Sequence, residues 1–139
     1  MNEKWKEFLK AVEKKCPQTH IYTQPEECLI YSHGCYPREY KWLLKGDYPY
    51  LTRAVVSPAD EAEISEIVKL ANEYEVSIIP YGGGSGIVGG TIPYQGEIMI
   101  DVKRLQDFSI NIVNGTARGG AGLTGAEFEN LLNEHGYTA

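Results

Sequence analysis

Apolar positions near the start of the chain fall at Trp5, Phe8, Leu9 and Val12, with Lys4, Lys6, Glu7, Lys10 and Glu13 between them. That i, i+3, i+4, i+7 spacing marks one face of an amphipathic helix. It predicts a helix from Glu3 to about Lys15, capped by Asn2 and ended by Pro17. Residues 16–50 carry no clean period. Thr23–Gly34 reads as a short helix or strand followed by a turn, and Tyr36, Tyr40, Trp42, Tyr48 and Tyr50 read as packing or interface aromatics.

From Thr52 the pattern sharpens. Thr52–Val56 reads as a strand, and Ser57-Pro58 as a helix cap followed by proline at the first helical position. Asp60 and Glu63 add acidic charge near that helix start, where the helix dipole favours it. Ile64, Ile67, Val68, Ala71 and Tyr74 then line one helix face, and Val76–Pro80 is the next strand. The unit 52–80 is a strand–helix–strand crossover of parallel, right-handed type. Glu97–Val102 is a third strand. Phe108–Val113 and Thr116–Gly119 form a hairpin around Asn114-Gly115, a type I′ turn signal. Thr124 and Glu127 make a capping box for a last helix through Phe128, Leu131 and Leu132, stopped by Gly136. The fold class expected is α+β (α/β), a small mixed sheet built on the strand–helix–strand unit. Residues 1–50 are a helix with an irregular lead-in, and residues 51–139 are the main domain.

The candidate chemistry lies in the loop between the second and third strands. Six of the nine residues from Gly82 to Gly90 are glycine. Glycine tolerates positive φ and lets backbone N–H groups approach a ligand, and successive N–H groups turned one way form a nest for an anion, above all a phosphate. A flexible linker would have polar, unstructured flanks; this loop has strands. Gly84-Ser85-Gly86-Ile87-Val88-Gly89 spells G-x-G-x-x-G, but that fingerprint requires a helix to start within it. Pro93 and Gly96 stand where the helix would run, and no G-x-x-x-x-G-K-[ST] occurs. A nicotinamide-binding Rossmann unit is therefore the weakest reading. Asp101, twelve residues beyond Gly89 rather than about twenty, reads as a strand-end carboxylate and not a ribose ligand.

Pro80–Gly86, with Val55-Val56-Ser57-Pro58 before it and Ile98–Val102 after it, resembles the N-terminal FAD-binding segment of FAD-linked oxidases. These form the vanillyl-alcohol oxidase superfamily, with its PCMH-type flavin domain. The branch resembled comprises glycolate oxidase flavoprotein subunits, D-lactate dehydrogenases and alkylglycerone-phosphate synthases. The resemblance runs from about Tyr31 to the C-terminus. It implies that backbone amides of Tyr81, Gly82, Gly83, Gly84, Ser85, Gly86 and Ile87 hold the FAD pyrophosphate. Ser85 stands where some members carry a flavin-linked histidine, which implies non-covalent FAD. Gly119-Gly120-Ala121-Gly122 resembles the family's second glycine contact. In full-length relatives a further flavin segment and a substrate domain follow. The resemblance thus implies an incomplete flavin subdomain whose partners are the rest of a flavoenzyme and a small-molecule substrate. The expected full reaction is oxidation of a small 2-hydroxy acid with the flavin as hydride acceptor.

Composition narrows the rest. Net charge is −6, which argues against nucleic acid and anionic membrane surfaces, so a phosphate must be held by local geometry. Cys16, Cys28 and Cys35 form no C-x-x-C and read as reduced, partly buried thiols. No apolar run is long enough to span a bilayer, and the compartment expected is the cytoplasm. No catalytic dyad, nucleophile–base pair or metal spacing is visible, and His33 without a partner reads as a surface or packing residue. The chain alone is expected to hold at most the diphosphate side of the cofactor and not to catalyse. The alternative is a non-catalytic module of the same fold, docking a partner through the Tyr36–Tyr50 aromatics.

Overall fold

The computed structural model describes residues 3–139. Its first helix, α1 (Lys4–Lys15), turns Phe8, Leu9 and Val12 inward as the spacing requires. Asn2, read as its cap, lies outside the described residues; Glu3 takes the N-cap position without a side-chain cap bond. The lead-in contains β1 (His20–Tyr22), α2 (Pro25–Tyr31) and α3 (Pro37–Lys45). Gln24 and Glu27 form a capping box at the start of α2, and Gly46, at φ 65°, ends α3.

The sheet has the order β1-β2-β4-β3, with β2 (Val55–Ser57), β3 (Ile78–Tyr81) and β4 (Ile98–Asp101) mutually parallel and β1 antiparallel at one edge. It is the small mixed sheet expected. The crossover through α4 (Glu61–Glu73) does join parallel strands, but they are not neighbours: β4 inserts between them. The reason is in the side chains. Every residue of β4 is buried, which suits a central strand covered on both faces. Pro80 lacks an N–H and is tolerated at the free edge that β3 occupies.

Side-chain alternation then sorts the core. Val56, Ile98 and Ile100 point to the face covered by Phe8, Leu9 and Val12 of α1 and Ile67, Leu70 and Ala71 of α4. Val55, Met99 and Tyr81 point to the opposite face, where Tyr22, Tyr31 and Ile79 cover them. A separate hairpin, β5 (Phe108–Asn111) with β6 (Thr116–Gly119), leads to α5 (Gly125–Asn133). The Thr124–Glu127 capping box forms as read.

Three local expectations are corrected. The helix after β2 starts at Glu61, not at Pro58: Ser57 is still a strand residue paired with His20, and Asp60 is the cap, accepting from the Glu63 N–H at 2.8 Å. Val68 on that helix is 38% exposed, and Leu70 takes its place in the core. The hairpin turn is not type I′. Only Gly115 has positive φ, and the four-residue connection is closed by the Asn111 carboxamide, which accepts from the N–H groups of Val113 and Asn114.

Glu63 ties the lead-in to α4. Its carboxylate accepts from the Gln18 N–H (2.9 Å), the Thr19 hydroxyl (2.8 Å) and the Ala59 N–H (2.8 Å). Partial burial pushes its pKa up, but the bonds from Ala59, Thr19 and Gln18 outweigh this and leave it lowered. A carboxylate with a depressed folded-state pKa contributes stability above its unfolded value, and that contribution is lost as pH falls through the folded one. Urea unfolding as a function of pH is therefore expected to show Glu63→Gln less stable than the parent near neutrality, with the gap closing on acidification below the ordinary Glu value. Phe8→Ala, at a fully buried position, should cost about 3–5 kcal/mol in the same assay, whereas Glu7→Ala on the exposed face should change little.

Candidate functional site: a glycine loop at the carboxyl ends of the parallel strands

β3 ends at Tyr81 and β4 at Asp101, side by side in register, and the glycine loop leaves from the first of them. In open α/β sheets ligands bind in the crevice outside the carboxyl ends of the strands. No helix or strand forms between Tyr81 and Ile98. The helix that a G-x-G-x-x-G fingerprint needs is absent from Ile87–Gln95, so the Rossmann reading fails on geometry.

Among the described residues, no backbone N–H from Gly82 to Ile87 donates to a protein acceptor. Backbone donors are nearly always paired when buried, so a consecutive run of free ones must face water or a ligand. Gly82, Gly83 and Gly86 have no neighbour within 4 Å of where a Cβ would stand, which leaves open space before the backbone. Gly84, at φ 66°, turns the loop over the Tyr81 phenol; a side chain here would be strained and would strike that ring.

The loop is held from beneath. Tyr81 is 8% exposed and donates its hydroxyl to the His33 carbonyl at 3.2 Å. The Cys35 N–H donates to the Gly86 carbonyl at 3.1 Å. Gly34 sits so close that a Cβ would stand 2.7 Å from Thr91 Oγ1 and 3.1 Å from the Gly84 carbonyl oxygen. Behind this turn lies Glu39 of α3, 1% exposed, which accepts from the Gly34 N–H at 2.6 Å and the Tyr48 hydroxyl at 3.0 Å. Burial and the Glu39 bond push the Tyr48 phenol well above its ordinary range. The far arm of the loop is anchored by aromatics: Tyr50 packs edge-on against Tyr94 at 4.8 Å, and Trp42 against Tyr48 and Tyr50.

Gly83 and Ser85 of the glycine loop, Lys103 after β4, and Ala121, Gly122 and Thr124 line one cleft of about 550 Å³. Gly122 fits there because its backbone lies directly on the chain leaving β4: a Cβ would stand 2.5 Å from the Val102 carbonyl oxygen. Gly120 and Gly122 donate to the carbonyls of Asp107 (2.7 Å) and Leu105 (2.8 Å). The two glycine stretches are thus brought to one cleft. Of the positions from Tyr81 to Ile87, Gly83 and Ser85 line it, Tyr81 supports the loop from below, and Ile87 is 67% exposed.

At the end of β4, buried Asp101 gathers several donors. It accepts from the Tyr31 hydroxyl at 2.9 Å, the Ser57 hydroxyl at 3.4 Å and the Lys103 N–H at 3.1 Å, and pairs with the Lys103 ammonium at 2.8 Å. Burial, then the bond to Asp101, holds the Tyr31 phenol far above its usual range; burial raises Tyr81 as well. His33 makes no side-chain hydrogen bond among the described residues and packs edge-on against Tyr48. The cysteines are free, but Cys35 is exposed rather than partly buried. Sequence reasoning passed over Lys103, Gly34 and Glu39. Lys103 carried a usable signal, since it follows directly on a strand whose carboxyl end faces the crevice.

A mixed sheet whose parallel strands end at a glycine loop, with a second small-residue turn on the same cleft, is the frame in which a family comparison can be read. Residues 52–139 match the family model described as FAD binding domain, and the chain belongs to that family, the FAD-binding domain of flavin-dependent oxidoreductases. It is 32% identical to a D-lactate dehydrogenase of Archaeoglobus fulgidus over 82 residues, covering 59% of this chain and 18% of the relative. It is 32% identical to the glycolate oxidase subunit GlcD of Bacillus subtilis over 90 residues, covering 64% of this chain and 17% of the relative. A solved alkyldihydroxyacetonephosphate synthase superposes with a TM-score of 0.85 at 27% identity, over 96% of this chain and 25% of that one. The matched segment is thus under a fifth of each of these two relatives. Among the described residues no helix is long and apolar enough to cross a membrane.

Gly34→Ala should displace the loop carrying Gly84 and Gly86, whereas Gly82→Ala meets nothing. Hydrogen exchange is expected to show faster exchange around Cys35 in Gly34→Ala and an unchanged pattern in Gly82→Ala. Similar exchange in the two variants would contradict the support described.

Proposed function

We propose that the cleft holds the diphosphate of FAD, bound non-covalently, through backbone N–H groups from Gly82 to Ile87, with Tyr81, whose own N–H belongs to the β3–β4 ladder, supporting them from below. The observation that carries this reading is the run of free N–H groups from Gly82 to Ile87 at the carboxyl ends of parallel strands. The residues fit the group: the glycines open the backbone to it, and Gly122 lets the opposite wall lie close against β4. Ser85, on the cleft, carries a hydroxyl and no imidazole through which a flavin could be linked.

Bound FAD supplies hydride acceptance. This chain's residues supply binding and orientation: the nest neutralises negative charge with fixed dipoles, and the 33–35 turn keeps those dipoles aimed. The remainder of a flavoenzyme, including a substrate domain, is the proposed partner, since the relatives extend far beyond the matched segment. Their names support a small 2-hydroxy acid as substrate of the whole protein. Division into a lead-in over 1–50 and a first flavin subdomain over 51–139, and a cytoplasmic location, belong to the same proposal. The docking alternative loses much of its surface, because Trp42, Tyr48 and Tyr50 pack against one another and against Tyr94.

Fluorescence titration of the purified chain is expected to show binding of FAD and ADP but not of FMN, which lacks the diphosphate. Acid precipitation of the loaded protein should release all of the flavin into the supernatant. Failure of both FAD and ADP to bind would overturn the proposal, and flavin retained in the pellet would overturn its non-covalent part.

A further inference from the structure

A chain of net charge −6 presents an unfavourable field to a diphosphate, so binding requires positive charge placed locally. Neutral backbone dipoles furnish part of it. Among the residues lining the cleft, Lys103 is the cation and Glu127 the carboxylate. Glu127 is committed elsewhere: it accepts from the Thr124 N–H and hydroxyl, both at 2.7 Å, in the capping box of α5.

Lys103 is held in an unusual way for a partly exposed lysine. Its ammonium is 2.8 Å from Asp101 Oδ1, 4.3 Å from the centre of the Tyr31 ring and 5.0 Å from that of Tyr81. The Asp101 side chain is 6% exposed and that of Lys103 is 44% exposed. The carboxylate is thus a fixed anchor, and the half-exposed lysine it holds is one of the residues lining the cleft. A lysine ammonium has three donors; the salt bridge uses one, and the aromatic faces attract the charge without taking up donors. A cation fixed beforehand loses little freedom on pairing with a ligand.

We propose that Lys103 is the charge-pairing residue of the cleft, with its ammonium oriented by Asp101, Tyr31 and Tyr81 to meet the diphosphate held on the nest. The inference rests on the reading of the cleft as a diphosphate site. It adds a side-chain charge to a site otherwise made of backbone, and it assigns Asp101, Tyr31 and Tyr81 as positioning residues for that charge.

The test is calorimetric titration of ADP into the unsubstituted chain, Lys103→Met and Lys103→Arg, at low and at high salt. Lys103→Met should weaken ADP about tenfold at low salt, as loss of a charge-assisted bond does. The difference should shrink at high salt, because a partly exposed pair is screened. Lys103→Arg should stay within about threefold, since the charge is kept. A purely structural role would give a loss that salt does not change, and that result, or unaltered binding by Lys103→Met, overturns the inference while leaving the diphosphate site standing. No ADP binding by the unsubstituted chain overturns both. Should Lys103→Met fail to fold, the side-chain NMR signal of Lys103, assigned by its loss in Lys103→Arg, decides the matter: it shifts on adding ADP to the unsubstituted protein, and no shift refutes the pairing.

Discussion

Backbone N–H groups from Gly82 to Ile87 have no acceptor within the described protein, and holding the loop in one shape without such bonds is the constraint on which the rest of the structure turns. A loop rich in glycine is entropically costly to hold in one shape. Here the shape comes from contacts on the loop's other groups: the Gly86 carbonyl taken by Cys35, the Tyr81 hydroxyl tied to His33, and the buried Ile92 and Pro93 on the far arm. The donors stay free because the acceptors and side chains do the holding.

That arrangement explains the lead-in. Residues 16–50 contribute one edge strand to the sheet, and their larger effect is beneath the loop. α3 brings in Glu39, whose carboxylate fixes the Gly34 N–H, and the Trp42–Tyr48–Tyr50 stack reaches Tyr94. A buried carboxylate is expensive unless its bonds are made. Glu39 Oε2 has two donors, whereas Oε1 and the nearby Thr91 hydroxyl have none among the described residues. The buckle under the loop is therefore polar, tight and intolerant of volume at Gly34.

Legibility followed the range of the forces involved. The α1 face, the α4 face around Ile67 and Ala71 and the Thr124–Glu127 cap depend on neighbours three or four residues away, and each was readable from spacing. The glycine loop was readable because composition and topology agreed at the end of a strand. What escaped depends on distant partners. Insertion of β4 between β2 and β3 follows from burial on both faces, which no local pattern states. Ser57 looked like a cap until pairing with His20 kept it in the strand. The Asn111 side chain closes the turn for which Asn114-Gly115 predicts a type I′ geometry. α2 and α3 did carry local signals, proline at the first turn of each and Gly46 after the second, which the aromatic-rich background hid.

The central claim is that the free N–H groups of the loop are themselves the ligand-binding atoms. Two-dimensional ¹⁵N–¹H NMR of the labelled chain titrated with ADP addresses those atoms one by one. The account predicts that the largest shifts fall on the amides of Gly82 to Ile87, and that those of α1 and α4 stay in place. Saturable ADP binding with those loop amides unmoved would contradict it.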